Sequence, residues 1–332
     1  MVNDDIILKI EDLYVNFYTY AGVVKAIDGV NLEVRRGECL GLVGETGCGK
    51  SVTMRSVLRL IPPPGEIVRG KIWFNGVNLL ELPESEMRKI RGNKIAYIVQ
   101  EPSAALDPLY RVGYQVAEPM VYHGLVGSFK DAWRRVVELF KQVMMPEPEE
   151  RARAYPHELS GGMKQRVVIA TALSGETELL IADEPTTAVD VTIQAQIMDL
   201  LNKLREERNL TLILVTHNLG LVAEMCDRVA VMYAGNIVEL APTEELFKNP
   251  LHPYVKGLLA AVPRITAGKD VVLKPIPGFV PNLIYPPPGC RFHPRCDKAM
   301  PICRREKPVM KEVAPGHWVA CHLYDKVGGG DE

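Results

Sequence analysis

The segment Gly44-Glu45-Thr46-Gly47-Cys48-Gly49-Lys50-Ser51 has the residue types and spacing to hold a chain of phosphates. It fits G-x-x-x-x-G-K-[ST] in full. Glycines let successive backbone N–H groups curl around phosphate oxygens. A helix opening at the end of the loop, through Val52, would turn its positive end toward the anion. Lys50 would reach the β- and γ-phosphates, and the Ser51 hydroxyl would ligate Mg²⁺. Cys48 lies inside the loop, where a small thiol serves as a buried packing group and carries some sensitivity to oxidation. A second constellation is Leu179-Leu180-Ile181-Ala182-Asp183-Glu184-Pro185, an apolar run that ends in two acids. Adjacent carboxylates at the tip of a buried strand are costly unless a cation sits there. Asp183 would hold the Mg²⁺, and Glu184 would polarise the attacking water. Together the two motifs predict Mg²⁺-dependent hydrolysis of a nucleoside triphosphate.

Cysteines form a third group. The chain has seven, and Cys290, Cys296, Cys303 and Cys321 crowd into its last part. An odd count without a recognisable secretory leader argues against a disulfide framework. Four thiolates brought together in a reducing compartment point instead to a metal. Their spacings lack the closely paired knuckles of structural zinc, whereas an iron–sulfur cluster of the 4Fe–4S type tolerates irregular spacing. Zinc is the lesser alternative, and free thiols the third. His293, His317 and His322 stand nearby and read as packing or capping residues.

The elements that must position these groups follow from pattern. Ile6–Phe17 and Val23–Val34 alternate apolar and polar residues and predict strands. Cys39–Val43, Leu179–Ala182 and Leu212–Thr216 are short apolar runs and predict buried parallel strands. Ser51–Leu60 and Asp131–Val143 predict helices, Lys71–Phe74 a strand, and Val229–Tyr233 with Ile237–Leu240 a hairpin. Strands alternating with helices predict an α/β core. Beyond about residue 250 prolines, cysteines and basic residues become dense and periodicity fades, which places a boundary there. The length of 332 residues suits two domains. Lys and Arg number 39 against 41 Asp and Glu, so no basic field calls for nucleic acid. No apolar stretch is long enough to cross a bilayer, and no signal peptide is evident. These features predict a soluble, cytoplasmic chain.

A family resemblance rests on motifs that follow in order. Leu159-Ser160-Gly161-Gly162-Met163-Lys164-Gln165-Arg166 resembles the signature motif of ABC-type ATPases. Gln100, after the strand Ala96–Val99, resembles the Q-loop glutamine. Ala188-Val189-Asp190 resembles the D-loop, and His217, after Leu212–Thr216, the switch histidine. Phe17 stands where the family places an adenine-stacking aromatic, with Tyr20 as its substitute. Met163 and Val189 depart conservatively from the family pattern. The resemblance covers roughly residues 6–250. It implies a P-loop ATPase of RecA-like core, with an antiparallel β-subdomain and a helical subdomain at about 102–170. It also implies a head-to-tail dimer. Each ATP would lie between one subunit's phosphate loop and the other's Ser160, Gly161, Gly162 and Met163. Gln100 would contact Mg²⁺ or water, His217 would contact the γ-phosphate and align the water, and Asp190 would be among the nucleotide-binding residues.

The tail narrows the resemblance. Asn249-Pro250-Leu251-His252-Pro253-Tyr254 and Leu258-Leu259-Ala260-Ala261-Val262-Pro263 resemble the oligopeptide/dipeptide importer ATPases, D-type subunits above all. So do Asp28-Gly29-Val30, Arg91-Gly92 and Gln100-Glu101-Pro102. The expected organisation is a nucleotide-binding domain over 1–250 and an irregular Cys-rich tail over 251–332. Members with this tail pattern are consistent with a 4Fe–4S cluster on Cys290, Cys296, Cys303 and Cys321. The resemblance implies a motor that hydrolyses ATP at the cytoplasmic face of the membrane. Its partners would be a second ATPase subunit, two permeases and, indirectly, an extracytoplasmic binding protein. Import of oligosaccharides or metal complexes is the alternative within transport. A non-transport ABC ATPase of DNA repair or translation, or an iron–sulfur electron carrier, fits less of the chain.

Overall fold

The computed structural model describes residues 5–187, 189–261 and 276–325. Its strands are β1 (Ile6–Thr19), β2 (Gly22–Arg35), β3 (Cys39–Val43), β4 (Gly65–Phe74), β5 (Val77–Asn78), β6 (Ile95–Ile98), β7 (Leu179–Asp183), β8 (Thr211–Thr216), β9 (Arg228–Tyr233), β10 (Asn236–Pro242), β11 (Lys311–Ala314) and β12 (His317–Val319). The chain divides into two compact units. One comprises Met1–Val34, Cys39–Leu80 and Thr216–Glu332, the other Arg35–Glu38 and Glu81–Val215. The tail is therefore grouped with the phosphate loop.

In the first unit β1 pairs antiparallel with β4 in a four-stranded sheet ordered β2-β1-β4-β5. Alternation explains β1: Ile7, Leu8, Ile10, Leu13 and Val15 are buried, with bulges near Tyr14 that shift the register. β4 starts at Gly65, well before the predicted Lys71, because its polar first half gains its strand conformation from pairing with β1. A second set of strands in this unit runs β11-β12-β10-β9-β3. β3 lies parallel to β9, and its five residues are all buried, as a central strand requires. β9 and β10 form the predicted hairpin. The tail adds β12 antiparallel to β10 through Glu239↔Val319 and Leu240↔Trp318.

In the second unit β6, β7 and β8 are parallel, and β7 and β8 are buried throughout. Helices occupy most of the region between β6 and β7. Phe129–Gln142 is capped by Ser128, whose side chain accepts from Asp131 N. This helix buries Ala132, Val136, Val137, Leu139 and Phe140, one apolar stripe at helical spacing. Helix Gly161–Ala172 follows and buries Val167, Ile169 and Ala170. Among the described residues no helix is long and apolar enough to cross a membrane.

Candidate functional site

The phosphate loop follows β3 and ends in the helix Lys50–Val57. Gly44, Gly47 and Gly49 take φ values of 152°, 79° and 108°, in the region that favours glycine. Two of them also lack room for a side chain. A Cβ on Gly44 would stand 2.2 Å from the Met232 carbonyl oxygen, and one on Gly49 would stand 2.6 Å from Ile27 Cδ1. Around Gly47, by contrast, nothing lies within 4 Å. Thr46 and Gly47 are exposed, and Glu45, Ser51 and Val52 are half-buried. Gly49 caps the helix without a side-chain hydrogen bond, and the start of a helix is where backbone N–H groups and the dipole favour an anion.

Lys50 is buried and folds back over the loop. Its Nζ donates to Gly44 O at 2.7 Å and to Glu45 O at 3.3 Å. These carbonyls hold the ammonium against its own loop. Cys48 is buried beneath the loop, and burial raises its thiol pKa. It is an inert packing group in this setting. His217, in the same unit, is exposed at the end of β8. Asn218, the next residue, caps the following helix by accepting from Gly220 N.

The acidic pair occupies the second unit. Asp183 is buried at the end of β7, and Tyr97 Oη donates to its Oδ2 at 2.5 Å. Glu184 turns the chain away from the strand in a left-handed conformation, φ 48°. Its N–H donates to Val215 O at 2.8 Å. Its Oε2 accepts from Gln100 Nε2 at 3.0 Å and from Thr187 Oγ1 at 2.9 Å. The structure thus joins Gln100 to Glu184, two residues that sequence reading singled out separately. Tyr97 and Thr187 were missed. The one signal for Tyr97 was a hydroxyl on an otherwise apolar strand, Ile95-Ala96-Tyr97-Ile98.

Ser160 caps the helix Gly161–Ala172, its Oγ accepting from Met163 N at 3.4 Å. Ser160 and Gly161 are exposed, while Gly162 and Met163 are half-buried. A Cβ on Gly162 would stand 2.8 Å from Ile193 Cγ2, so glycine lets the two helix starts approach closely. Asp190 caps the neighbouring helix Val191–Arg208, accepting from Ile193 N at 2.9 Å. Ala188 of the expected D-loop, and Val262 and Pro263 of the expected tail motif, lie outside the described residues. Phe17 packs over Gly65 rather than standing free: a Gly65 Cβ would meet its Cε1 at 2.6 Å. Tyr20 is fully exposed and Tyr18 is 46% exposed.

The four tail cysteines border a common cavity. Cys290, Cys296, Cys303 and Cys321 line one cavity of about 310 Å³, open mouth included, with His252, Phe292, His293 and His322. Burial pushes the Cys290 and Cys321 thiols up to about 11 and raises Cys296, and the neighbouring thiols add to each rise. Among the described residues, however, no three His, Cys, Asp or Glu side chains are gathered as a metal-ion site. The nearby histidines have protein partners: His293 Nδ1 meets Cys290 O at 2.9 Å, His322 meets Asp325 Oδ2 at 2.8 Å, and His317 meets Glu239 Oε1 at 2.8 Å.

A family model described as ABC transporter matches residues 27–187. A model of the oligopeptide/dipeptide transporter C-terminal region matches residues 238–303. The dipeptide transport ATP-binding protein DppD of Bacillus subtilis (strain 168) is 45% identical over 321 residues, 96% of this chain and 95% of the relative. The chain belongs to the ABC transporter ATP-binding proteins. The oligopeptide transport ATP-binding protein OppD of Escherichia coli (strain K12) is 47% identical over 317 residues, covering 96% of this chain and 93% of the relative. Among solved structures, a post-hydrolysis dimer of the ATP-binding cassette MJ0796 with ADP and Pi matches with a TM-score of 0.64 at 27% identity. It covers 71% of this chain and 98% of that one. The cbiO1 protein of Clostridium perfringens matches with a TM-score of 0.59 at 28% identity, covering 74% and 92%. The fold is that of the ABC cassette, and the chain is an ABC-type ATPase.

Proposed function

We propose that this ATPase powers import of dipeptides or oligopeptides through a membrane permease. The observation that carries the reading is full-length similarity to peptide-transport subunits, tail included, joined to a phosphate loop of the required geometry. ATP would bind on the loop Gly44–Ser51, with Lys50 swinging from its own carbonyls to the β- and γ-phosphates. Ser51, Asp183 and Gln100 would serve Mg²⁺, and Glu184 would take the proton of the attacking water. Ser160, Gly161, Gly162 and Met163 of a second ATPase subunit would close over the γ-phosphate, with Asp190 and His217 at that interface. Ser160 and Gly161 are exposed at the start of helix Gly161–Ala172, where the helix dipole favours an anion. Tyr20 is the better adenine platform, because Phe17 is engaged with Gly65.

The working arrangement is peripheral, on the cytoplasmic face, beneath two permease subunits served by an extracytoplasmic binding protein. The cassette would span 1–250, its helical subdomain about 102–170, and the tail 251–332. The decisive experiment is reconstitution with those permeases in vesicles. Peptide-loaded binding protein should stimulate ATP hydrolysis and peptide uptake together; stimulation by an oligosaccharide or metal-complex binding protein instead would contradict the peptide assignment.

We further propose that Cys290, Cys296, Cys303 and Cys321 hold a 4Fe–4S cluster. Four thiols lining one cavity, Cys303 buried and the other three half-buried, are a donor set that such a cluster could use. When bound, the cluster would supply cross-linking energy to a segment poor in apolar core. Anaerobically purified protein should carry about four irons and four sulfides per chain, lost when Cys290 or Cys321 becomes Ser. One zinc without sulfide, or no metal, would refute the assignment.

A further inference from the structure

The phosphate loop is held from beneath by the tail, and the contact centres on Glu45. Its main-chain N–H donates to Tyr254 Oη at 2.9 Å. Its carboxylate accepts two parallel bonds from Arg295, Nη1 to Oε2 at 2.7 Å and Nη2 to Oε1 at 3.1 Å. The Arg295 side chain is 5% exposed. This is the fork-to-carboxylate geometry in which arginine fixes direction as well as charge. The remaining Arg295 donors are also engaged: Nε meets Pro277 O at 2.8 Å, and the guanidinium stands 5.7 Å over the Tyr233 ring. Neither the guanidinium nor Glu45 can turn away without stranding buried partners.

Arg295 is itself fixed by a compact turn. The 3₁₀ helix His293–Arg295 lies between Cys290 and Cys296. Phe292, buried on the same turn, packs against Tyr233 and Tyr254 with ring centroids 5.0 and 5.4 Å apart. Arg291 reaches the other end of the loop's support: its Nη1 donates to Ala234 O at 2.6 Å and Lys25 O at 3.1 Å. Gly235 N, next to that carbonyl, donates to Cys48 O at 2.8 Å. One seven-residue stretch, Cys290–Cys296, therefore grips the phosphate loop at Glu45 and, through Gly235, at Cys48. Because Tyr254 takes the Glu45 N–H, the phosphate-facing N–H groups begin at Thr46. Glu45 is then the anchor from which they are aimed.

We propose that Arg295 is a positioning residue for nucleotide binding: by clamping Glu45 it holds the loop in its phosphate-receiving shape. Whatever distorts the Cys290–Cys296 turn is transmitted to the loop by the same contact. The proposal rests on reading Gly44–Ser51 as the phosphate cradle.

The test is a double-mutant cycle on the full chain, with a fluorescent ADP analogue as probe, read well below the melting temperature. Arg295→Ala and Glu45→Gln should each weaken Kd about ten-fold, the scale of one charge-assisted pair. KM for ATP should rise in step and kcat should stay within about two-fold. The double variant should also lose about ten-fold rather than about a hundred-fold, because the two residues act through each other. Arg295→Lys, which keeps charge but not the fork, should fall between wild type and Arg295→Ala. If Arg295→Ala does not fold, Arg295→Lys with Glu45→Gln carries the same cycle. A lower melting temperature with unchanged Kd would reduce Arg295 to a structural role and overturn the proposal, and so would additive losses. Lys50→Ala separates the two levels. If it binds ADP like wild type, the cradle reading itself fails. If it fails to bind while Arg295→Ala binds normally, only the clamp is refuted.

Discussion

Glu239 is fully buried on β10 and accepts three hydrogen bonds. Oε1 accepts from Leu251 N at 2.9 Å and His317 Nε2 at 2.8 Å, and Oε2 accepts from His252 N at 2.7 Å. One carboxylate thus ties β10 to the tail strand β12 and to the turn that precedes Tyr254. Glu239→Ala would leave three buried donors without an acceptor. At about 1–3 kcal/mol for each stranded group, tempered by partial relaxation, the loss should be about 3–5 kcal/mol. Glu239→Gln keeps the shape, but its NH₂ must face at least one of the same donors, so it should cost about 1–3 kcal/mol. Equilibrium urea denaturation followed by circular dichroism measures both. Nucleotide affinity at low urea should fall as well, since the turn at 251–252 supports the tyrosine beneath Glu45. An alanine variant within about 1 kcal/mol of wild type would show that water or rearrangement satisfies these donors, and would refute the reasoning.

Lys50→Ala should weaken ATP binding by at least about a hundred-fold, because it removes the charge proposed to swing to the β- and γ-phosphates; titration calorimetry reads this, and unchanged affinity would refute the cradle. Ser160→Ala and Asp190→Ala each remove a helix cap and should each cost about 1 kcal/mol of stability by urea denaturation. Both should also lower ATPase activity beyond that small stability loss, which a purely capping role would not do.

Local patterns were the legible part of this chain. β3 occupies Cys39–Val43, the bounds its apolar run marked, because a strand covered on both faces has a continuous apolar signature. The phosphate loop was legible because its glycines are dictated by backbone geometry, as the Met232 carbonyl beside Gly44 shows. What sequence did not reveal is set by contacts distant along the chain. Arg295 and Glu45 are 250 positions apart, and neither carries a pattern that names the other. Glu239 sits on a strand where an apolar residue would fit the period, and only its three partners explain it. β12 has three residues, too few for alternation to register, and gains its conformation from pairing with β10. Phe17 was placed by family position, whereas the close approach of Gly65 decides its packing.

The central claim is that this chain hydrolyses ATP with Glu184 as the proton acceptor, and the most direct measurement is turnover by Glu184→Gln beside its ATP affinity. The substitution preserves the size of the side chain and an oxygen for Gln100 and Thr187, so ATP should bind as in wild type. Hydrolysis should fall by about 10²–10⁴-fold, the range for removing a general base. ATP affinity retained with turnover nearly abolished is the predicted result. Near-normal turnover would contradict the account at its centre.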